Sequence, residues 1–315
     1  HRGEVELRSQ PRLVRAWCTN SAAGHRSAVR ADLDGIGPRR CSGQPPSTMR
    51  KPPMNASGAR TTDYSARFAW LEDPGRDFPY YRGQPVALTA WQWLLVMAAV
   101  GVGFLAVALP IAWPGGMVGS FVPAILLFAI PFGALAFVAG GSWRALFGRV
   151  SGREIKWMVL FALLNIVVTM CIGTVMTTFV AVETNAALGS IFGLDTADRV
   201  LFLVKVALQL LGEEVISILP FLALLTLFTQ RFGVSRRVAI VGACLLSALL
   251  FGLAHLPTYG WNLVQCILII GSARLVLTLP WIMTKNLWVS TGAHVLNDWL
   301  LMSMGLLGAM VASQT

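Results

Sequence analysis

The chain has 315 residues, of which 55% are hydrophobic and only 13% charged, and its mean hydropathy is +0.64. Soluble domains carry roughly a quarter charged residues, so this composition excludes an ordinary soluble domain and specifies an integral membrane protein. The formal net charge of +10 does not point to nucleic acid. Residues 1–90 hold 14 of the 25 basic and 8 of the 15 acidic side chains, and most of the others lie in short loops between apolar runs, which is membrane topology.

Residues 1–48 start with His1 and mix Arg, Gly, Ser and Pro without periodicity. They cannot bury enough apolar surface to offset the entropy of ordering, so residues 1–54 are expected to be a disordered basic tail. An initiator at Met49 or Met54 would place that tail outside the translated chain. Residues 55–90 read as a cytoplasmic lead-in. Its aromatic cluster (Phe78, Tyr80, Tyr81, then Trp91 and Trp93) suits a membrane interface.

From residue 91 to 315 the sequence reads as one transmembrane domain, an all-α polytopic helix bundle of about seven spans. The apolar runs cover about 91–112, 119–139, 156–180, 200–228, 238–259, 261–283 and 287–311. Each reaches the roughly 20 residues needed to cross a bilayer as helix. Loops 140–155 and 229–237 are arginine-rich and Lys285 separates the last two runs, whereas 181–199 is mainly acidic. The positive-inside rule then puts the N-terminus in the cytoplasm, with a bacterial inner (plasma) membrane as the expected location. Cys18 and Cys41 fall in the tail, and Cys171, Cys244 and Cys266 within apolar runs. No CxxC pair exists, so neither a zinc ribbon nor a disulfide framework is readable.

Ionisable groups within the apolar runs carry the functional information, because each costs several kcal/mol to bury in a bilayer. On the fourth run Lys205, Gln209, Glu213 and Ser217 are spaced by four and share one helix face, which must turn to the bundle interior or a water-filled cavity. Glu214 adjoins. A structural polar seam is the bland reading of this stripe. His255 follows Phe251 by one turn, and alone it reads equally as a packed core histidine or as a ligand or base. On the last run His294 and Asp298 are four apart, with Asn297 beside them, as in a metal half-site or an oriented imidazole, or a self-satisfied pair near a helix start. Together these groups supply what hydrolysis needs: a carboxylate to take a proton from water, and imidazoles to hold that water, bind a divalent metal or donate to an oxyanion. No serine or cysteine nucleophile with an adjacent base is evident, so activated water is favoured over a covalent intermediate.

The order Glu213-Glu214, then Phe251-x-x-x-His255, then Asn286-Leu287-Trp288 followed by His294-x-x-x-Asp298, resembles the CAAX protease and bacteriocin-processing family of intramembrane proteases over about residues 200–300. The resemblance implies an intramembrane endopeptidase. In it Glu213 acts as general base, His255 holds the attacking water, His294 with Asp298 forms the oxyanion or metal side, and Glu214 supports. If a metal such as zinc is used, the resemblance implies His255, His294 and Asp298 as its ligands; otherwise no cofactor is expected. The implied partners are a membrane-associated protein or peptide substrate and the lipid bilayer, with no nucleic acid.

Two positions depart from the family pattern. Its first motif continues to an arginine where this chain has Ile218, and Asp298 stands where an amide is common. Arg274, within the sixth run, is a buried cation that on one reading pairs with Glu214 in place of the missing arginine and on another, equally open, binds a substrate carboxylate or a lipid headgroup. Asn297 is the alternative oxyanion donor, since an ionised carboxylate cannot donate. The missing arginine also motivates an alternative, a catalytically inactive membrane scaffold or bacteriocin-immunity-type protein of the same fold. A transporter using Lys205, Glu213 and Arg274 as an ion path is a third reading, but it lacks the internal repeat such folds show. Counting residues along each run puts Glu213 near mid-membrane, His294 toward the cytoplasm and His255 toward the far side.

Overall fold

The computed structural model describes residues 67–185 and 189–312, so the basic tail and the start of the lead-in lie outside the described residues. Seven long helices follow one another: α1 (Ala90–Ala108), α2 (Phe121–Ala139), α3 (Gly152–Met176), α4 (Thr196–Thr226), α5 (Arg236–Ala254), α6 (Gly271–Thr284) and α7 (Leu287–Ala312). Among the described residues, six stretches are long and apolar enough to cross a membrane, and α7 matches them in length with 26 residues. The chain is therefore a polytopic helical membrane protein, as its apolar runs predict.

Local chemistry fixes several helix starts. Thr89 accepts from the Gln92 N–H while the Gln92 side chain reaches back to the Thr89 N–H, a capping box that starts α1. Ser151 and Glu154 do the same for α3, which is why it begins at Gly152 rather than near 156. Asp195 caps α4 through the Asp198 N–H at 2.8 Å.

The central helix is α4. Of its most apolar window 67% is buried within the protein, against 17% for α3. It packs on α2, α5 and α7, while α6 lies against α3, α5 and α7. Helix α6 is entered through a single helical turn (Leu263–Gln265) and a π-helical turn (Cys266–Ile270). Such a turn inserts a residue and re-aims every side chain beyond it, Arg274 included. Gly252 of α5 abuts this turn: a Cβ there would lie 2.5 Å from the Cys266 carbonyl oxygen.

The lead-in differs from expectation. Of the aromatic cluster, Phe78 and Tyr80 are each 1% exposed, Tyr81 and Trp93 are buried, and Trp91, at 80%, faces outward. Phe78, Tyr80 and Tyr81 share one apolar core with α4 and α5. They are inside because they face buried charge rather than lipid headgroups. The Arg236 guanidinium lies over the Phe78 ring (5.3 Å) and the Tyr81 ring (5.4 Å), and it binds Glu72 through both nitrogens (2.5 and 2.6 Å). Lys285 Nζ reaches Glu72 Oε2 at 2.9 Å, and Arg236 also meets Asp77 at 2.7 Å. Burial alone would raise the Glu72 carboxyl, but hydrogen bonds from Arg236 and Lys285 outweigh it and hold it down at about 2. Arg76 donates to the carbonyls of Ala145 and Phe147, so residues 67–83 clasp the α2–α3, α4–α5 and α6–α7 connections.

Candidate active site

Consecutive helical residues point about 100° apart, so Glu213 and Glu214 cannot serve the same space. Glu213 lies on the polar stripe of α4 and lines a cavity of about 370 Å³. Gln209 Nε2 donates to its Oε1 at 3.0 Å. Glu214 turns away from the stripe and is fully buried. Arg274 of α6 grips it from two nitrogens, Nη1 to Oε1 at 2.6 Å and Nη2 to Oε2 at 3.1 Å. The guanidinium is itself 0% exposed; its Nε donates to Thr278 Oγ1 at 3.1 Å and its plane lies 5.4 Å from the Phe251 ring centre. Ile218, one turn beyond Glu214, sits in the apolar core. The carboxylate thus has its arginine, delivered from another helix.

The two imidazoles are held alike, each by Nδ1. His255 closes the C-terminal end of α5, and its Nδ1 lies 2.8 Å from the Phe251 carbonyl. A carbonyl only accepts, so Nδ1 carries hydrogen, which frees Nε2 as an acceptor in the neutral ring. His294 Nδ1 lies 2.9 Å from Glu214 Oε1, and its Nε2 is 3.9 Å from Asp298 Oδ1. The Phe251 ring separates the pair, 4.4 Å from His255 and 6.3 Å from His294 between ring centres.

Glu213, His255, Arg274, His294, Asn297 and Asp298 all line the one cavity. The depth mismatch expected from residue counting is absent. Helix α5 stops at Ala254, so His255 sits on a helix end beside the turn to Trp261, and the π-helical turn folds the chain back against Gly252.

Several polar lining residues do not stand out in the sequence, among them Tyr259, Asn185 and Asn165. Tyr259 belongs to the α5–α6 turn and its hydroxyl accepts from Asn185 Nδ2 at 3.3 Å. Burial pushes its phenol above the usual range, so it stays protonated. Asn165 of α3 donates from Nδ2 to Asn297 Oδ1 at 3.0 Å, and Asn297 Nδ2 donates to Asp298 Oδ1 at 2.9 Å. Neither Asn165 nor Tyr259 forms a sequence-local motif, because their partners lie far along the chain.

As arranged, no three His, Cys, Asp or Glu side chains among the described residues converge to hold a metal ion, so His255, His294 and Asp298 do not fit a metal as they stand. No step below runs through one.

A buried acid–base cluster open to a cavity inside a helical membrane bundle is an arrangement suited to hydrolytic chemistry. Residues 196–300 match the family model described as type II CAAX prenyl endopeptidase Rce1-like, the family that the sequence motifs resemble. The match spans α4 to the middle of α7 and contains Glu213, Glu214, His255, Arg274, His294, Asn297 and Asp298, whereas Asn165 and Asn185 lie outside it. Comparison with curated proteins and with solved structures gives no match.

Proposed function

We propose that the chain is an intramembrane endopeptidase that hydrolyses a peptide bond of a membrane-associated protein or peptide with water activated by Glu213. One observation carries this reading: of two adjacent glutamates, the buried Glu214 is locked by Arg274 and His294 while the half-buried Glu213 lines the cavity shared by both imidazoles. In the proposed step Glu213 takes a proton from water whose O–H is held by His255 Nε2. The hydroxide oxygen adds to the carbonyl carbon, and Nε2 of His294, in the doubly protonated ring whose Nδ1–H is held by Glu214, donates with Asn297 Nδ2 to the developing oxyanion. Glu213 then passes its proton to the leaving amine as the C–N bond breaks, which restores the carboxylate.

The inactive-scaffold reading rested on Ile218 in place of an arginine. The Arg274–Glu214 pair answers that objection in physical terms, since the charge lost at 218 returns from α6. A metal-dependent variant of the reaction would need His255, His294 and Asp298 to close around an ion such as zinc. Elemental analysis of purified protein tests this: stoichiometric zinc that chelators remove together with activity supports it, and activity in metal-free protein counts against it. The basic side chains Arg76, Arg153, Arg236 and Lys285 gather on the lead-in at one end of the bundle, which supports a cytoplasmic N-terminus in a bacterial inner membrane.

The test of the main reading is a proteomic comparison of cells carrying the wild type and Glu213→Gln. One membrane-associated precursor should accumulate in the variant and be cut by purified wild type. An unchanged membrane proteome would favour the scaffold.

A further inference from the structure

Hydrogen bonds behind His294 run in one direction, and a carboxylate fixes that direction. A carboxylate accepts, so the Asn297 amide must present Nδ2 to Asp298, at 2.9 Å. Its Oδ1 then faces Asn165 and can only accept, so Asn165 must present Nδ2, at 3.0 Å. Reversing either amide would set oxygen against oxygen. This leaves Asn165 Oδ1 at the open end of the chain. It is buried, on a residue 1% exposed, and has no hydrogen-bond partner among the described residues. Asn165 also lines the cavity with Glu213, His255 and His294.

Buried polar groups are rarely left unpaired, and an unpaired acceptor on a residue that lines a reaction cavity has an evident use once a substrate enters. We propose that Asn165 Oδ1 is a substrate-binding acceptor that takes one peptide N–H of the segment being cut. The inference rests on the peptidase reading above and deepens it. The N–H groups of a membrane helix are already committed within that helix, so only an extended stretch can offer one here. Asn165 therefore selects substrates that are unwound, or lack helix, where they enter the cavity. It lies on α3, outside the segment that matches the family model.

The experiment uses purified full-length protein in proteoliposomes. Its probe is a synthetic peptide spanning the cut site of the precursor that accumulates with Glu213→Gln, together with versions N-methylated singly at each nitrogen around that site. At one position N-methylation should lower wild-type kcat/KM about tenfold, through KM, as loss of one hydrogen bond predicts. Asn165→Leu should carry a similar loss on the unmodified peptide and show no further loss at that position. Independent, fully multiplicative losses at every position would overturn the inference, as would an Asn165→Leu defect confined to kcat, which a purely structural hold on Asn297 gives. If Asn165→Leu does not fold, Asn165→Ala serves, since it removes the acceptor without adding bulk or charge. It should likewise show no further loss at the N-methyl position, and retained sensitivity there overturns the inference. Absence of any Glu213-dependent cleavage would instead remove the peptidase reading and this inference with it.

Discussion

The protein buries two clusters of charge, and they are finished differently. In the clasp, Glu72 meets Arg236 and Lys285, Asp77 meets Arg236 and Arg67, and aromatic rings cover the cations. In the cavity cluster only the inner half is closed, by Glu214, Arg274 and the Nδ1 side of His294. Its outer half, Glu213 and the far sides of the imidazoles, lines the cavity, as does Asn165, whose buried Oδ1 has no hydrogen-bond partner among the described residues. Buried charge alone therefore does not mark a site in a membrane protein. What marks one is polar capacity left over after the structural partners are counted, facing a space a substrate can enter.

The sharpest way to break that distinction is to attack the closed half of the cavity cluster. Arg274→Met leaves Glu214 buried without its cation, which should cost about 3–5 kcal/mol and abolish cleavage together. Adding Ile218→Arg to Arg274→Ala should restore part of both, because position 218 is one helical turn from Glu214. Thermal denaturation in detergent and peptide cleavage read out the two effects, and no rescue would count against the pairing account.

A smaller effect is expected in the clasp. Glu72→Gln keeps hydrogen-bonding capacity but removes the charge, for a loss on the order of 1.5–3 kcal/mol, with cleavage per folded molecule retained. Wild-type stability should also fall with acid. The folded Glu72 value, about 2, lies below the ordinary 4.5. Its contribution is therefore present above pH 4.5 and lost as pH falls through the folded value. Melting temperatures across that window should drop less steeply for Glu72→Gln, and equal slopes would remove Glu72 from the account.

Much of this was legible in the sequence. The apolar runs gave helix boundaries within a few residues, since a bilayer imposes a minimum length. The polar stripe on α4 and the four-residue spacing of His294 and Asp298 gave faces. Pairing of Arg274 with Glu214 is one reading the sequence offers, because a buried cation needs an anion and the Glu213-Glu214 motif lacks its arginine at Ile218. Asn165 was not legible, because an asparagine in an apolar run has no sequence-local partner and Asn297 lies 132 residues on. The clasp was missed for a related reason. Glu72 and Lys285 read as loop charges until the fold joins them, and the aromatics that shield them mimic an interface belt. The convergence of His255 with Glu213 depends on a helix end and a π-helical turn, neither of which alters hydropathy.

The central claim is that Glu213 acts on substrate whereas Glu72 acts on the fold. Measuring cleavage rate per folded molecule and melting temperature for Glu213→Gln and Glu72→Gln side by side tests it most directly. The account predicts that Glu213→Gln melts like the wild type and loses at least about 10²-fold in rate, as removal of a general base should, while Glu72→Gln melts earlier and still cleaves. A Glu213→Gln protein that cleaves at the wild-type rate, or one whose only defect is instability, would contradict it.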